Sequence, residues 1–313
     1  MVQQQFCVAS QCGGVSAAPS KVMNNNRGIA FVILSMAAFT FEDMFIKLLS
    51  AYLPVGQMLC MFGIGTASLF AAIMWIKGIR FDYPGAWGKI PLTRTLCEAG
   101  AALTFYLALS KTDLTLVAAI YQAVPLVIVL GAFVFLNETV GWRRWFAVLV
   151  GFIGVMVITR PGFAGFDPNS LWAVLSMLFV AGRDLVTRRI QANLPSTLIS
   201  FQGFLILIPT GLLWHFATGE VIEPVSLFHL VLTLSGVVFG AIGYYCIVHG
   251  MRSGEASAVA PFRYSRILFA ILAGAIVFGE RVDVMTIIGV GLIISAGLYA
   301  FEREAVEKYR SRV

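Results

Sequence analysis

The chain has 313 residues, of which 59 % are hydrophobic and 12 % charged, and it carries a formal net charge of +6. Soluble domains draw about a quarter of their residues from Asp, Glu, Lys and Arg, so this supply excludes a water-exposed globular surface. A mean hydropathy of +0.86 and 25 phenylalanines point to an integral membrane protein. The basic excess carries no aromatic-basic interleaving, which argues against nucleic acid as a partner, and the five cysteines have no C-x-x-C spacing.

The first 26 residues are polar and lack a basic segment followed by an apolar one, so they read as a disordered cytoplasmic tail rather than a signal peptide. Met23 stands directly before the first span. About 20 apolar residues cross the ~30 Å hydrocarbon layer. Runs of that kind predict ten helices near 28–50, 56–76, 92–110, 114–136, 143–159, 170–190, 197–217, 227–250, 256–279 and 284–301, with a cytoplasmic tail over 302–313.

Charges inside these spans are costly, about 2.5–3.5 kcal/mol each at mid-helix, and normally face the bundle interior or water. The first span holds Glu42 and Asp43, whose directions differ by about 100°, so only one can point squarely inward. The third holds Glu98, a proton-coupling candidate, with Arg94 one turn earlier and able to keep it ionised. In the fourth, Tyr121 and Gln122 precede Pro125, a combination suited to a cavity wall because proline frees backbone carbonyls. Glu138 follows that span at a turn. The sixth holds Arg183 and Asp184.

The eighth span places Gly236, Gly240 and Gly243 at small-residue packing spacing, with Tyr244 next. The ninth contains "APFRYSRILFAILAG", in which Arg263 and Arg266 share one helical face near mid-depth and Tyr264 adds a hydroxyl. An arginine's planar fork grips a carboxylate or phosphate well. The same pair can instead make structural ion pairs with Glu98, Asp184 or the first span, and both readings stand. Glu280 closes the ninth span beside a turn, a structural position. The histidines lie near span ends without ligand spacing, so no metal is assigned.

Orientation follows from the positive-inside rule. With a cytoplasmic N-terminus, fifteen lysines and arginines fall on the inner side against Lys47, Lys111, Arg160 and Arg281 on the outer. Both termini are therefore expected in the cytoplasm.

The chain also repeats. "LSMAAFTFEDMFIKLLS" from Leu34 precedes "LSMLFVAGRDLVTRRIQ" from Leu175, aligning Asp43 with Asp184 and Lys47 with Arg188. "GAFVFLNETV" and "AGAIVFGERV" align Glu138 with Glu280 at nearly the same offset. Five spans per repeat force the second copy to cross in the opposite sense. The expected fold is an all-α integral membrane protein of ten transmembrane helices in two inverted five-helix repeats, over 27–162 and 163–301. That architecture opens a midplane site alternately to either side.

The stretches Ala118–Gly162 and Ala256–Gly297, each a helix ending in Asn/Gly-Glu, a short turn and a glycine-rich helix, resemble the drug/metabolite transporter superfamily in its EamA-domain branch. The resemblance covers about residues 28–301, and departs from the common pattern where Arg263 and Arg266 replace apolar or small residues. It implies a cytoplasmic-membrane carrier of small polar metabolites such as amino acids, S-adenosylmethionine, riboflavin or metallophores. The residues expected at the substrate are Arg263, Arg266, Tyr264, Tyr121, Gln122 and Tyr244. Those expected to gate or couple protons are Glu42, Asp43, Glu98 and Asp184.

A secondary transporter for an anionic or zwitterionic metabolite is thus the leading expectation. Its partners are that small molecule, the bilayer and a proton as coupling ion, with no cofactor and a monomer or homodimer as the unit. A passive channel or an exporter of drugs or metabolites on the same fold is the alternative. An intramembrane enzyme is disfavoured, since H-E-x-x-H and G-x-S-x-G motifs are missing from the chain, as is a G-x-x-x-x-G-K-[ST] loop for ATP.

Overall fold

The computed structural model describes residues 25–136, 141–161, 166–187, 189–190, 194–253 and 259–310. The tail ahead of Asn25, Glu138 and Arg188 lie outside them. Among the described residues the regular structure is helical: α1 (Asn25–Leu49), α2 (Val55–Ile76), α3 (Lys89–Lys111), α4 (Leu114–Tyr121), α5 (Val124–Leu136), α6 (Trp142–Thr159), α7 (Ser170–Thr187), α8 (Ser196–Leu205), α9 (Leu207–Thr218), α10 (Leu227–Ser253), a 3-10 turn (Ala260–Ser265), α11 (Arg266–Val277) and α12 (Val284–Arg310). Among the described residues six segments are long and apolar enough to cross a membrane. Bulky apolar side chains such as Trp75, Phe216 and Ile276 are almost fully exposed, as an outward face meeting lipid tails requires.

Three expected spans are interrupted, and each interruption has a proline behind it. A proline ring clashes with the carbonyl four residues earlier and offers no N–H to it. Pro125 thus ends α4 at Tyr121, and Pro209 ends α8 at Leu205, so α4/α5 and α8/α9 are two broken rods. Pro261 opens the 3-10 turn that leads into α11. Counting each broken rod once gives ten rods that match the ten expected spans to within a few residues at most ends. The exception is α12, which continues to Arg310, well past the end expected at 301.

The rods pair closely. α1 lies along α10, α3 along α7, α6 along α12, α2 along α8 and α9, and α4 against α11. Glycines allow these approaches. A Cβ on Gly56 would sit 2.7 Å from the Gly211 carbonyl oxygen, and one on Gly211 would sit 2.4 Å from that of Gly56. Gly154 and Gly289 reproduce the same reciprocal contact between α6 and α12. Along α10, Gly240 meets Glu42 and Gly243 meets Phe39, both of α1, while Gly236 meets Phe62 of α2. The spacing read from the sequence is therefore a helix-packing seam. The largest apolar core gathers Leu49, Met58, Leu59, Phe62, Leu109, Leu114 and Ile120, where the adjoining ends of α3 and α4 meet α1 and α2. It fixes α1 and α4, which carry the groups described next.

Candidate functional site

Two charged clusters lie inside the bundle. The first joins α1 to the ninth rod. Arg266 Nη2 donates to Asp43 Oδ2 at 2.5 Å, and the Asp43 side chain is only 7 % exposed. The same guanidinium stands 5.8 Å from the Tyr121 ring centroid and 6.0 Å from that of Phe39, within cation–π range. The Tyr121 hydroxyl meets that of Ser176 on α7 in a short hydrogen bond, and Ser176 Oγ donates to the Ala101 carbonyl at 2.7 Å. Arg266 is thereby tied through Tyr121 to α7 and α3.

The second cluster lies between α3 and α7. Glu98 accepts from Arg94 Nη2 through Oε2 at 2.9 Å and from Arg183 Nη1 through Oε1 at 2.9 Å. Arg183 Nε also donates to Asp184 Oδ1 at 2.9 Å. Arg94 and Glu98 meet because residues four apart share a helix face. Arg94 Nη1 reaches on to the Ile199 carbonyl of α8 at 3.3 Å. Gly203 leaves room for that arginine, since a Cβ there would stand 2.7 Å from Nη1.

Arg263 differs from these three arginines. Among the described residues it has no carboxylate partner and no hydrogen bond, although Asp184, Arg183 and Arg266 all lie within electrostatic reach. Arg263 is exposed, with those charged groups of α7 and α11 nearby. Glu42 is its counterpart in sign. It sits over Gly240, has no hydrogen bond or ion pair among the described residues, and lies within reach of Asp43 and Arg266.

Of the remaining expected residues, Tyr264 is buried against Gly297 of α12, with its hydroxyl unpartnered among the described residues. Gln122 is buried beside the α4 break, its Nε2 without a partner. Tyr244 packs edge-on to Phe70, with ring centroids 5.5 Å apart, and stands near Arg94. The structure thus brings Arg266, Asp43 and Tyr121 together and groups Glu98 with Asp184. It sets Tyr264 on the α12 side.

Two further residues form a contact that the sequence reading did not connect. Lys47 Nζ lies 3.0 Å from Glu280 Oε1 and donates to the Thr112 carbonyl at 2.5 Å. Glu280 also accepts from the Leu114 and Thr115 backbone N–H groups, at 2.7 and 3.0 Å, and so caps the N-terminus of α4. Burial alone would raise the carboxyl pKa, but these donors and Lys47 hold it below the ordinary 4.5. Nearby Asp113 is pushed upward, by burial first and by Glu280 second. Both Lys47 and Glu280 stand in the repeat alignments, which is the available signal; what links them is hidden by a separation of 233 positions.

Comparison with known proteins agrees with this architecture. The sequence pattern of the EamA-like transporter family matches residues 26–160 and again 168–301. An S-adenosylmethionine uptake transporter of Rickettsia bellii is 27 % identical over 202 residues, covering 64 % of this chain and 68 % of that protein. The chain spans 61 % of the corresponding Rickettsia prowazekii protein, less than two thirds of its length. A riboflavin transporter of Rhizobium johnstonii is 28 % identical over 75 % of this chain and 76 % of its own. The pseudopaline exporter CntI of Pseudomonas aeruginosa is 23 % identical over 86 % and 94 %. A solved crystal structure superposes with a TM-score of 0.58 at 18 % identity, over 85 % of this chain and 97 % of its own, a likeness of fold. With ten helical rods, charged groups held inside an apolar bundle, and a family pattern matched across nearly the whole length, the chain belongs to the EamA-like transporter family, a family of membrane transporters.

Proposed function

We propose that this metabolite transporter is a secondary carrier of the cytoplasmic membrane, moving a small anionic or zwitterionic metabolite by alternating access. The observation that carries the reading is Arg263, an arginine left without a partner in a layer where Arg94, Arg183 and Arg266 each hold a carboxylate. A fixed charge inside a membrane bundle is tolerated where it meets water or a compensating group. A cargo carboxylate or phosphate supplies that compensation and matches the guanidinium fork. Glu42, likewise unpartnered, offers a site for a cationic group, which favours a zwitterion. S-adenosylmethionine, moved by the Rickettsia relatives, is a cargo of this chemical type.

Two inverted five-helix halves are part of the proposal. Exchanging each rod with the one five places on turns the α1–α10 pairing into the α7–α3 pairing and maps the α2–α8/α9, α6–α12 and α4–α11 pairings onto themselves. The close glycine contacts Gly56–Gly211 and Gly154–Gly289 lie on two of those self-paired seams. On this reading the clusters at Asp43 and Asp184 bracket the cargo site and gate it.

The test is thermal stabilisation of purified protein by a metabolite collection, run on wild type and on Arg263→Ala. A carboxylate-bearing compound is expected to raise the melting temperature of wild type, and Arg263→Ala is expected to lose that shift while melting normally without ligand. An undiminished shift in the variant places the cargo elsewhere and sinks the reading.

A further inference from the structure

Three residues of α1 at four-residue spacing, Phe39, Asp43 and Lys47, form one stripe, since such positions lie above one another on a helix. Each contacts the ninth rod or the turn after it. Phe39 and Asp43 hold Arg266, while Lys47 holds Glu280 and stands 5.2 Å from the Phe278 ring centroid. The α11 C-terminus makes the last contact possible. Gly279 adopts φ +65°, and the Glu280 N–H returns to the Gly274 carbonyl at 2.9 Å, folding the carboxyl back over the end of the helix. A Cβ on Gly274 would lie 2.4 Å from Glu280 Oε2, so that position must stay small. With Lys47 also bound to Thr112, and Glu280 to Leu114 and Thr115, a single buried ion pair fastens α1, the α3–α4 junction and the end of α11.

Above this pair lies a cleft of about 700 Å³, and Lys47 and Glu280 are among its lining groups. Its other charged walls include Lys111, Arg160, Asp167 and Asp283. Below the pair, one turn further along α1, is the Asp43–Arg266 contact. The Lys47–Glu280 rung thus stands between the cleft and the Asp43–Arg266 rung of opposite polarity on the same helix face.

We infer that the Lys47–Glu280 pair is a second gate, outward of the Asp43 cluster, that closes the outer end of the pathway, with the 700 Å³ cleft as its outer vestibule. The inference rests on the carrier reading above. Opening to the outside requires the pair to part, releasing the end of α11 from α1 and from the α4 N-terminus together. Lys47 and Glu280 act as positioning residues, and the cargo is held deeper.

Ala118 is the reporter position. It is 4 % exposed and lies three residues from Thr115, which meets Glu280, and three from Tyr121, which meets Arg266, so it falls between the rungs. In a chain whose native cysteines are replaced, Ala118→Cys is labelled in intact cells with a membrane-impermeant maleimide. Lys47→Met and Glu280→Gln are each expected to raise the labelling rate at least ten-fold, with Lys47→Arg staying near the parent rate. Ala181→Cys, 1 % exposed on α7, serves as the control and should stay protected in every variant. Unchanged labelling at position 118 overturns the gate, and so does equal labelling at 181, which would report general loosening. Counterflow of a stabilising metabolite in proteoliposomes separates the two readings. If it is absent from the parent protein the carrier reading fails, whereas intact counterflow with unchanged labelling removes the gate alone.

Discussion

Arg263 and Arg266 are three residues apart, carry the same side chain and have opposite surroundings. Arg266 is spent on Asp43 and on the faces of Phe39 and Tyr121. Removing it strands a buried carboxylate, and breaking one partner from such a pair costs about 3–5 kcal/mol. Arg266→Ala is therefore expected to lower the melting temperature by several degrees, whereas Arg263→Ala, which breaks no ion pair, should stay within about 0.5 kcal/mol of wild type. Thermal unfolding of both variants in one detergent checks this, and equal losses would contradict the division of roles. The sequence offered both fates for both arginines. It could not distribute them, because Asp43 reaches Arg266 from 223 positions away, and helical spacing constrains neighbours only within an element.

At the scale of elements, prolines and glycines decide most of the geometry. The α4 and α8 breaks follow from Pro125 and Pro209, and both lie inside runs that hydropathy reads as continuous. The charge-bearing α3 falls outside the six segments that qualify as spans on length and apolarity, because Lys89, Arg94, Glu98 and Lys111 lie within its bounds. Its partners on α7 and α8 compensate Arg94 and Glu98. On α12, Gly289 faces the Gly154 backbone carbonyl, where an added Cβ would approach to 2.7 Å, while Gly291 meets nothing within 4 Å. Gly289→Leu must push two backbones apart and is expected to cost about 1–3 kcal/mol. Gly291→Ala only restricts the unfolded chain and favours the helix, so it should be neutral or stabilising by about 0.5–1 kcal/mol. Urea or thermal unfolding of the pair gives the comparison; equal costs would mean that the α6–α12 seam is not close-packed.

For the whole molecule, the Lys47–Glu280 ion pair sets a pH limit. The native pKa of Glu280 is depressed, so its contribution is complete above the ordinary carboxylate value of 4.5 and is lost as pH falls through the lower native value. Asp113, shifted upward, acts in the opposite sense. Thermal stability should therefore fall below about pH 4.5, and Glu280→Gln, which leaves Asp113 in place, should lessen that fall. If the variant shows the wild-type acid profile, the capped carboxylate is not what acid titrates. The distribution of lysine and arginine makes a separate prediction: reporter fusions at both ends should be active in the cytoplasm, with a fusion after Asp167 reporting the outer side. A reversed pattern would exchange inner and outer throughout.

The sequence alone determined the membrane class, the ten rods, the family and the residue types of the charged layer. Those properties depend on local composition and on periods of a few residues, which hydrocarbon thickness and helix geometry read directly. Only the tertiary structure decided which charges pair, that Tyr264 packs on α12, that Arg263 and Glu42 stay uncommitted, and that Lys47 meets Glu280. Each of these depends on which helix faces meet. In an apolar bundle whose helices are hydrophobic nearly all round, that choice is set by close approach at glycines and by the need to compensate every buried charge, and neither is legible within a single helix.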